Sequence, residues 1–275
     1  MTGDATTDLA TDPATDPAAY YARLAPGRYR STVHAQGAWS AGEQHMGPVS
    51  GLLVHEIEQL EPRDDLMLSR ISFDILGVIP MGIVQVRSRV RRPGRTIELV
   101  EAELYDERRT LVRAHAWRLH TSDTATLAAV EETRMAGPDS GDTWKGSDTW
   151  PGGYIDSLEF RVLPGWRPGR GQVWLRSKVD LVDPEDSTEM ARYVALVDTA
   201  NGIAVRVEPG SLLFPNTDLT VHLFRQPRGP WVGLDTAVTF GATGIGVTSA
   251  TLHDLDGPVG RAEQILTIRP VSGHV

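Results

Sequence analysis

The chain has 275 residues, of which 40% are hydrophobic and 23% are charged, enough to fill one or two ordinary globular cores. Its formal net charge of −9 argues against bulk binding of nucleic acid or of an anionic membrane surface. Because there is no cysteine, disulfides, cysteine nucleophiles and thiolate metal sites are excluded. The sequence contains neither a basic and apolar leader nor an apolar run of about eighteen residues, so we expect a soluble, cytoplasmic protein without membrane insertion.

Two segments contain few large apolar residues. Residues 1–19 consist mainly of Thr, Asp, Pro and Ala, which predicts a disordered tail. Residues 121–153 include GPDSGDTWKGSDTWPGG and predict a linker, although Trp144 and Trp150 indicate that it packs against the rest of the protein. Between and after these segments, residues 20–120 and 154–275 are predicted to form two folded domains.

Each predicted domain contains an early strand, one helix and then several strands. The first helix should begin near Gly47-Pro48 and end before Pro62, because apolar residues recur between them at helical spacing: Val49, Leu53, Ile57 and Leu60. For the second helix, Asp186 and Glu189 suggest a capping box and Gly202 a terminator. The residues spaced along it are Met190, Val194, Val197 and Asn201.

The strands predicted after each helix show alternating apolar and polar residues. In the second domain the alternation is clearest at Leu219, Val221 and Leu223 and again at Val232, Leu234, Thr236 and Val238. Tight connections such as Arg92-Pro93-Gly94 indicate antiparallel pairing. One helix packed on an antiparallel sheet, formed twice, predicts the α+β class.

The two domains are related by an internal repeat. When the sequence is shifted by 148 positions, Leu68–Leu119 aligns with Asn216–Thr267 without a gap. The identical positions include Ala102, Leu104, Asp106, Arg113 and Ala114, which align with Ala250, Leu252, Asp254, Arg261 and Ala262. Solenoid repeats have periods of roughly 20–50 residues, so this longer period predicts a duplicated domain.

The second copy alone has a set of polar residues in apolar surroundings. Thr217 has the strand parity of Leu219, which predicts a hydroxyl on the buried face. Gln264 has the parity of buried residues, and Asp198 lies at the border of the apolar face of the helix. The positions 148 residues earlier than Asp198, Thr217 and Gln264 are Ser50, Ser69 and Ala116, which provide neither a carboxylate nor an amide.

Several stretches resemble a known family. The segments VALVDTANG, FPNTDLTVHLFRQP and DLDGPVGRAEQILTIRP are similar to the acyl-CoA thioesterase II type of double hot dog proteins in the thioesterase-like superfamily. The resemblance extends over about Tyr20 to Pro270, and in the first domain GVIPMGIVQVRSRVRRPGRTIELVEAELYD resembles the strand–turn–strand pattern of the family. It implies a tandem hot dog, in which each half is one long helix wrapped by an antiparallel sheet.

The resemblance also implies a reaction, the hydrolysis of a fatty or related acyl thioester to free acid and CoA. Asp198, Thr217 and Gln264 match the catalytic set of the family. Asp198 would take a proton from water while Thr217 and Gln264 hold that water, and no acyl-enzyme forms. CoA is then part of the substrate, and no other cofactor and no metal is implied. Taken singly, each of these residues could instead make only a structural hydrogen bond.

Other residues are candidates for substrate binding. The helix N-terminus around Gly47 and Gly51 could donate amides to the thioester carbonyl, since free N–H groups and a partial positive charge lie there. Arg92 and Arg95 extend a row of arginines that could contact the phosphates of CoA or a carrier-protein pantetheine arm, or could simply form a solvated strand face. His45 could act as a general acid or be a surface histidine.

Two alternatives to a thioesterase remain open. A hot dog hydratase or dehydratase would need an acid–histidine pair such as Asp198 and His45, and a non-catalytic module would bind acyl thioesters without turnover. The sequence lacks HExxH, Walker A, GxGxxG and GxSxG elements and its eight histidines lack metal-ligand spacing. These patterns do not determine the acyl chain length, whether CoA or a carrier protein carries the acyl group, or whether the protein forms a homo-oligomer.

Overall fold

A computed structural model describes residues 18–270. The predicted tail, residues 1–19, lies outside the described residues except for its last two. The described part of the first half forms six strands and one α-helix of fourteen residues. These elements are β1 (Ala19–Ala25), β2 (Arg28–Ser31), α1 (Met46–Gln59), β3 (Leu66–Ile75), β4 (Ile83–Arg92), β5 (Ile97–Tyr105) and β6 (Thr110–His120).

The second half repeats this order with additional short elements. They are β7 (Asp142–Trp144), α2 (Gly153–Asp156), β8 (Leu158–Val162), β9 (Arg170–Ser177), β10 (Asp180–Asp183), α3 (Glu189–Val197), α4 (Ala200–Ile203), β11 (Leu212–Leu213), β12 (Asp218–Leu223), β13 (Val232–Phe240), β14 (Ile245–Asp254), β15 (Gly257–Thr267) and β16 (Arg269–Pro270). In the described part of the chain, no helix has both the length and the apolarity needed to cross a membrane.

Fourteen strands form one sheet in the order β10-β1-β2-β4-β5-β6-β3-β12-β15-β14-β13-β9-β8-β7. All neighbouring pairs are antiparallel except β1 and β10. The two halves join at the pair β3–β12, and the strand order on one side of this pair mirrors the order on the other. The alternation of buried and exposed residues predicted for these strands orients one face of the sheet toward the helices.

The strand registers confirm the 148-residue repeat. Pairs within the first half recur in the second half with both partners shifted by the same amount: Val86–Leu104 becomes Leu234–Leu252, and Ala102–Ala114 becomes Ala250–Ala262. At the junction Ser72 pairs directly with Thr220, its own repeat equivalent. An approximate two-fold axis therefore passes between Ser72 and Thr220.

The sheet also links the halves at its edges. Strand β10, from the second half, pairs in parallel with β1 of the first half, and β7 of the predicted linker pairs with β8. The domain boundaries at residues 20–120, 121–153 and 154–275 stay a prediction. One edge of the sheet is nevertheless formed by β10, which comes from the second half and extends the strands of the first. The other edge is formed by β7, which comes from the predicted linker and extends the strands of the second half.

The two longer helices begin close to where the sequence predicts. Helix α1 starts at Met46, with Pro48 in its first turn, where its missing N–H costs no hydrogen bond. Helix α3 starts at Glu189, but its N-cap is Thr188, whose hydroxyl accepts a hydrogen bond from the Ala191 N–H at 3.0 Å. The capping box predicted at Asp186 is therefore wrong, because the chain enters the helix two residues later.

Helix α3 ends at Val197, earlier than the predicted end at Gly202. The Tyr154 hydroxyl donates to the Ala195 carbonyl at 2.9 Å, and the Thr199 N–H instead bonds to the Leu196 carbonyl at 3.3 Å. The helix thus tightens at Asp198 and Thr199, which keep right-handed helical backbone angles, before the short helix α4.

Helices α1 and α3 approach each other through small residues. A Cβ atom at Gly47 would lie 2.6 Å from the Ala195 carbonyl oxygen, and one at Gly51 would lie 2.6 Å from the Ala195 Cβ. Ser50, which is fully buried between them, donates to the carbonyls of Gly47 at 2.7 Å and of Val194 at 3.1 Å. Any larger side chain at the two glycines would separate the helices.

We predict that Gly51→Val destabilises the protein by roughly 1–3 kcal/mol, because overpacking a filled contact forces side chains and backbone to move. The free energy of unfolding in urea measures the effect. Gly137→Ala serves as the control, since an added Cβ there meets nothing within 4 Å. Equal stabilities of the two variants would contradict the close helix contact.

Candidate active site

The end of α3 and the start of α1 bring several polar groups to one place. Asp198 follows α3, His45 precedes α1, Asn216 precedes β12, and Gln264 lies on β15. The Asp198 Oδ2 atom is 3.4 Å from His45 Nδ1. The site therefore combines one residue of the first half with three of the second, and it lies between the halves.

Asp198 is 4% exposed and is held by two amides. Asn216 Nδ2 donates to Asp198 Oδ1 at 2.8 Å, and Gln264 Nε2 approaches the same oxygen at 3.4 Å and the Asp198 backbone carbonyl at 3.3 Å. Burial raises the pKa of Asp198 to about 6, although the Asn216 hydrogen bond acts in the opposite direction. The carboxylate is thus unusually basic but still mainly ionised at neutral pH.

Gln264 is 2% exposed, as the strand parity predicts. Its amide nitrogen is directed at Asp198, and its buried Oε1 atom has no hydrogen-bond partner among the described residues. A buried acceptor without a partner is costly, since it loses its bonds to water without replacement.

His45 is neutral and its proton position follows from its neighbours. Its Nδ1 accepts a hydrogen bond from the Gly47 N–H at 3.0 Å, and burial lowers the pKa of the imidazole to about 3. The proton of the neutral ring therefore resides on Nε2. The ring stacks on Tyr154 with 4.1 Å between the centroids, which fixes its plane.

The structure corrects the expectation for Thr217. Its side chain is exposed rather than buried, because β12 begins only at Asp218 and the strand alternation does not extend back to Thr217. The residue that bonds Asp198 is its neighbour Asn216, which the sequence patterns did not single out. Asn216 Nδ2 also donates to the Asp218 carbonyl at 3.1 Å, so two acceptors fix its orientation. The signal available in the sequence was the position of Asn216, an amide side chain directly before a predicted strand.

These polar groups border a cavity of about 440 Å³, which we call the Asp198 cavity. Its walls include Asp198, His45, Asn216 and Thr217, and Gln264 lies behind Asp198. The remaining walls are mostly apolar and aromatic, from both halves and from the predicted linker: Trp39, Trp144, Trp150, Phe160 and Phe214. The Asp198 carboxylate therefore faces a space that an apolar group can occupy.

Gly47 and Gly51 have a packing role rather than the predicted substrate contact. Both are buried against α3, and the Gly47 N–H is already bonded to His45 Nδ1. Gly51 does not line the Asp198 cavity. A helix N-terminus does border the site, but its Gly47 amide is bonded to the histidine, and Pro48 has no N–H.

Arg92 and Arg95 also lie away from the Asp198 cavity, in the exposed turn between β4 and β5. The Arg92 guanidinium donates to the Ile97 carbonyl at 2.7 Å. The arginines on β4 form ion pairs with two buried glutamates, in the pairs Arg87–Glu103, Arg89–Glu101 and Arg91–Glu101. This arrangement favours the solvated strand face over a phosphate site.

At the crossing of the two helices, Ala195 lies against both Gly47 and Gly51. Ser50, the position 148 residues before Asp198, donates its hydroxyl to the carbonyls of Gly47 and Val194 and is not a carboxylate.

The strand positions equivalent to Thr217 and Gln264 are also poor in polar chemistry. Ser69 donates to the Met67 carbonyl at 3.2 Å, and Ala116 is a buried methyl group. The acid–amide arrangement around Asp198 therefore has no counterpart at the equivalent positions of the first half.

Comparison with protein families agrees with this duplicated architecture. Residues 35–119 match the model of the acyl-CoA thioesterase N-terminal domain, and residues 132–268 match the model of the acyl-CoA thioesterase C-terminal domain. The chain belongs to this acyl-CoA thioesterase family and is a thioester hydrolase. No curated protein sequence matches it significantly.

Solved structures confirm the tandem hot dog fold. A hot dog protein of unknown function from Alicyclobacillus acidocaldarius has a TM-score of 0.72 at 11% identity, covering 90% of this chain and 96% of that one. The acyl-CoA thioesterase II TesB2 from Mycobacterium marinum has a TM-score of 0.63 at 14% identity, with 93% and 96% covered. The dehydratase domain of PpsC from Mycobacterium tuberculosis has a TM-score of 0.53 at 12% identity, with 92% and 100% covered.

We predict that Asp198→Asn stabilises the folded protein at pH 8. A pKa raised from 3.8 to about 6 means that folding disfavours the ionised carboxylate by up to on the order of 3 kcal/mol. This penalty is complete above pH 6 and disappears as the pH falls toward 4, because the folded protein then binds the proton. Urea unfolding at pH 8 and pH 4 measures it. A variant less stable than wild type at pH 8 would contradict the burial cost.

Proposed function

We propose that the protein hydrolyses acyl-CoA thioesters to the free acid and CoA, using water activated by Asp198 and no metal or redox cofactor. The observation that carries this proposal is the buried, basic Asp198 carboxylate at the wall of an apolar cavity. One of its oxygens, Oδ1, is engaged by Asn216. The other, Oδ2, is left as the base.

In the proposed reaction the water oxygen attacks the thioester carbonyl carbon while Asp198 Oδ2 takes a proton from the water. The C–S bond of the tetrahedral intermediate then breaks, and Asp198 returns its proton to the departing thiolate. A positioned base of this kind contributes roughly 10²–10⁴-fold. A pKa of about 6 suits both transfers, since the group can accept and release a proton near neutral pH.

Gln264 and Thr217 hold the attacking water in this proposal. The Thr217 hydroxyl on the cavity wall provides one contact to the water. The Gln264 Oε1 atom, which is unpartnered and buried behind Asp198, provides the second once its amide turns toward the cavity. Asn216 acts differently, as a positioning residue that orients the carboxylate and limits the rise of its pKa.

The thioester carbonyl needs a donor where negative charge develops. We assign this role to the Nε2–H group of neutral His45 in place of the amides of the helix N-terminus. Triosephosphate isomerase also places a neutral histidine beside a helix N-terminus and uses it in this electrophilic role. The Gly47 N–H supports the role here by keeping Nδ1 unprotonated.

A hydratase or dehydratase activity is a second candidate. The 3.4 Å approach of Asp198 Oδ2 to His45 Nδ1 provides the acid–histidine pair that such an activity needs. The Gly47 hydrogen bond to the same nitrogen argues against a basic His45, because it occupies the lone pair. Without turnover of either kind, the remaining function is acyl-thioester binding.

One substrate panel separates these functions. Straight-chain acyl-CoA esters are assayed for free thiol, and 3-hydroxyacyl-CoA and 2-enoyl-CoA esters for interconversion by their absorbance. Thiol release without interconversion is expected. Interconversion without thiol release would establish the dehydratase, and binding without either reaction would establish the acyl-binding module. An acyl-carrier substrate hydrolysed in preference to CoA esters would replace CoA as the partner.

We predict that Asp198→Asn lowers kcat on acyl-CoA by at least about 10²-fold while the protein stays folded. The matched control is Ser69→Ala in the first half, which should retain wild-type kcat because Ser69 bonds only its own strand. Steady-state thiol release measures both. A comparable loss in the two variants would refute a single site in the second half.

We predict that kcat/KM falls as the pH drops below about 6, because protonated Asp198 cannot act as a base. Asn216→Leu should move this acidic limb to higher pH, since it removes the hydrogen bond that lowers the pKa of Asp198. Thr267→Val, on the same cavity wall but without contact to Asp198, should leave the limb in place. If Asn216→Leu leaves the acidic limb unmoved, the limb does not arise from protonation of Asp198.

A further inference from the structure

A second cavity, of about 750 Å³, adjoins the Asp198 cavity. We call it the Trp166 cavity. Trp144, Gly202 and Ile203 border both spaces, so the two cavities lie side by side at these residues. The reaction proposed for Asp198 does not use the Trp166 cavity.

The walls of the Trp166 cavity are mainly apolar. They come from the loop after β8 and from the segment after α4, and they include Val162, Leu163, Pro164, Trp166, Pro168, Val205, Val207 and Pro209. The indole N–H of Trp166 already donates to the Ile203 carbonyl at 2.8 Å, so this side chain adds mainly carbon surface. Such walls gain free energy by covering hydrocarbon.

The charges in the Trp166 cavity distinguish the acyl group from CoA as its occupant. Two carboxylates, Asp142 and Glu208, border it together with one guanidinium, Arg206. Arg206 Nη1 is bonded to the Val238 carbonyl at 2.9 Å. A polyanionic nucleotide would therefore meet net negative surroundings, which disfavour the phosphates of CoA and leave the hydrocarbon end of the substrate as the occupant.

We propose that the Trp166 cavity is a distal acyl-binding site, which takes the part of a long or bulky apolar acyl group that the Asp198 cavity cannot hold. The inference rests on the proposed thioester hydrolysis. It names the substrate class as thioesters of long or bulky hydrophobic acids. Short acyl groups would occupy the Asp198 cavity alone.

The test places a large side chain in the distal site. Val207→Trp fills the Trp166 cavity from a half-buried position that does not border the Asp198 cavity. KM for hexadecanoyl-CoA should rise at least about tenfold while KM for butanoyl-CoA changes less than about twofold, because only the long chain loses apolar contacts. Val130→Trp, the same change at an exposed residue outside both cavities, is the matched control.

Binding is measured in parallel with the thioether analogues hexadecyl-CoA and butyl-CoA, which cannot be hydrolysed. A selective loss of hexadecyl-CoA affinity in Val207→Trp supports the distal site even if no acyl-CoA is turned over, so the outcome is separate from that of the proposed function. Two results would overturn it. Unchanged long-chain KM and Kd would leave the cavity without a role, and an equal loss for both chain lengths would place CoA there.

Discussion

The close contact between helices α1 and α3 determines where the chemistry of this protein is located. Because Gly47 and Gly51 of α1 have no side chain, they pack directly against Ala195 of α3. Because α1 begins and α3 ends at this contact, His45 and Asp198 come within hydrogen-bonding range although they are far apart in sequence. A side chain at either glycine would push the two helices apart and would therefore also separate His45 from Asp198.

Burial at this contact gives Asp198 its chemical character. Burial among apolar groups raises the pKa of the carboxylate, and the hydrogen bond from Asn216 lowers it in part. The same burial keeps His45 neutral, and the helix N-terminus places its proton on Nε2. The apolar surroundings disfavour the charged form of each group, so they raise the pKa of Asp198 and lower the pKa of His45. An ionised carboxylate beside a neutral imidazole is the result at neutral pH.

The duplication has produced two halves with different roles. Most of their strand pairs share one register, as Val86–Leu104 and its equivalent Leu234–Leu252 demonstrate. Their helices differ, because α3 tightens and ends at Val197, where Tyr154 engages the Ala195 carbonyl, whereas α1 continues to Gln59. Asp198, directly after α3, borders the cavity. The first half contributes His45 and an opposing wall.

The sequence by itself determined the duplicated α+β architecture, the positions of the longer helices and the burial of Gln264, because these depend on local periodicity and on the repeat. It also identified Asp198 by the absence of a carboxylate in the other copy. Only the tertiary structure decided that Thr217 is exposed, that Asn216 bonds Asp198 and that Gly47 and Gly51 serve packing. Those features depend on how segments that are distant in the sequence pack against each other. Residue patterns within a single segment do not encode such contacts.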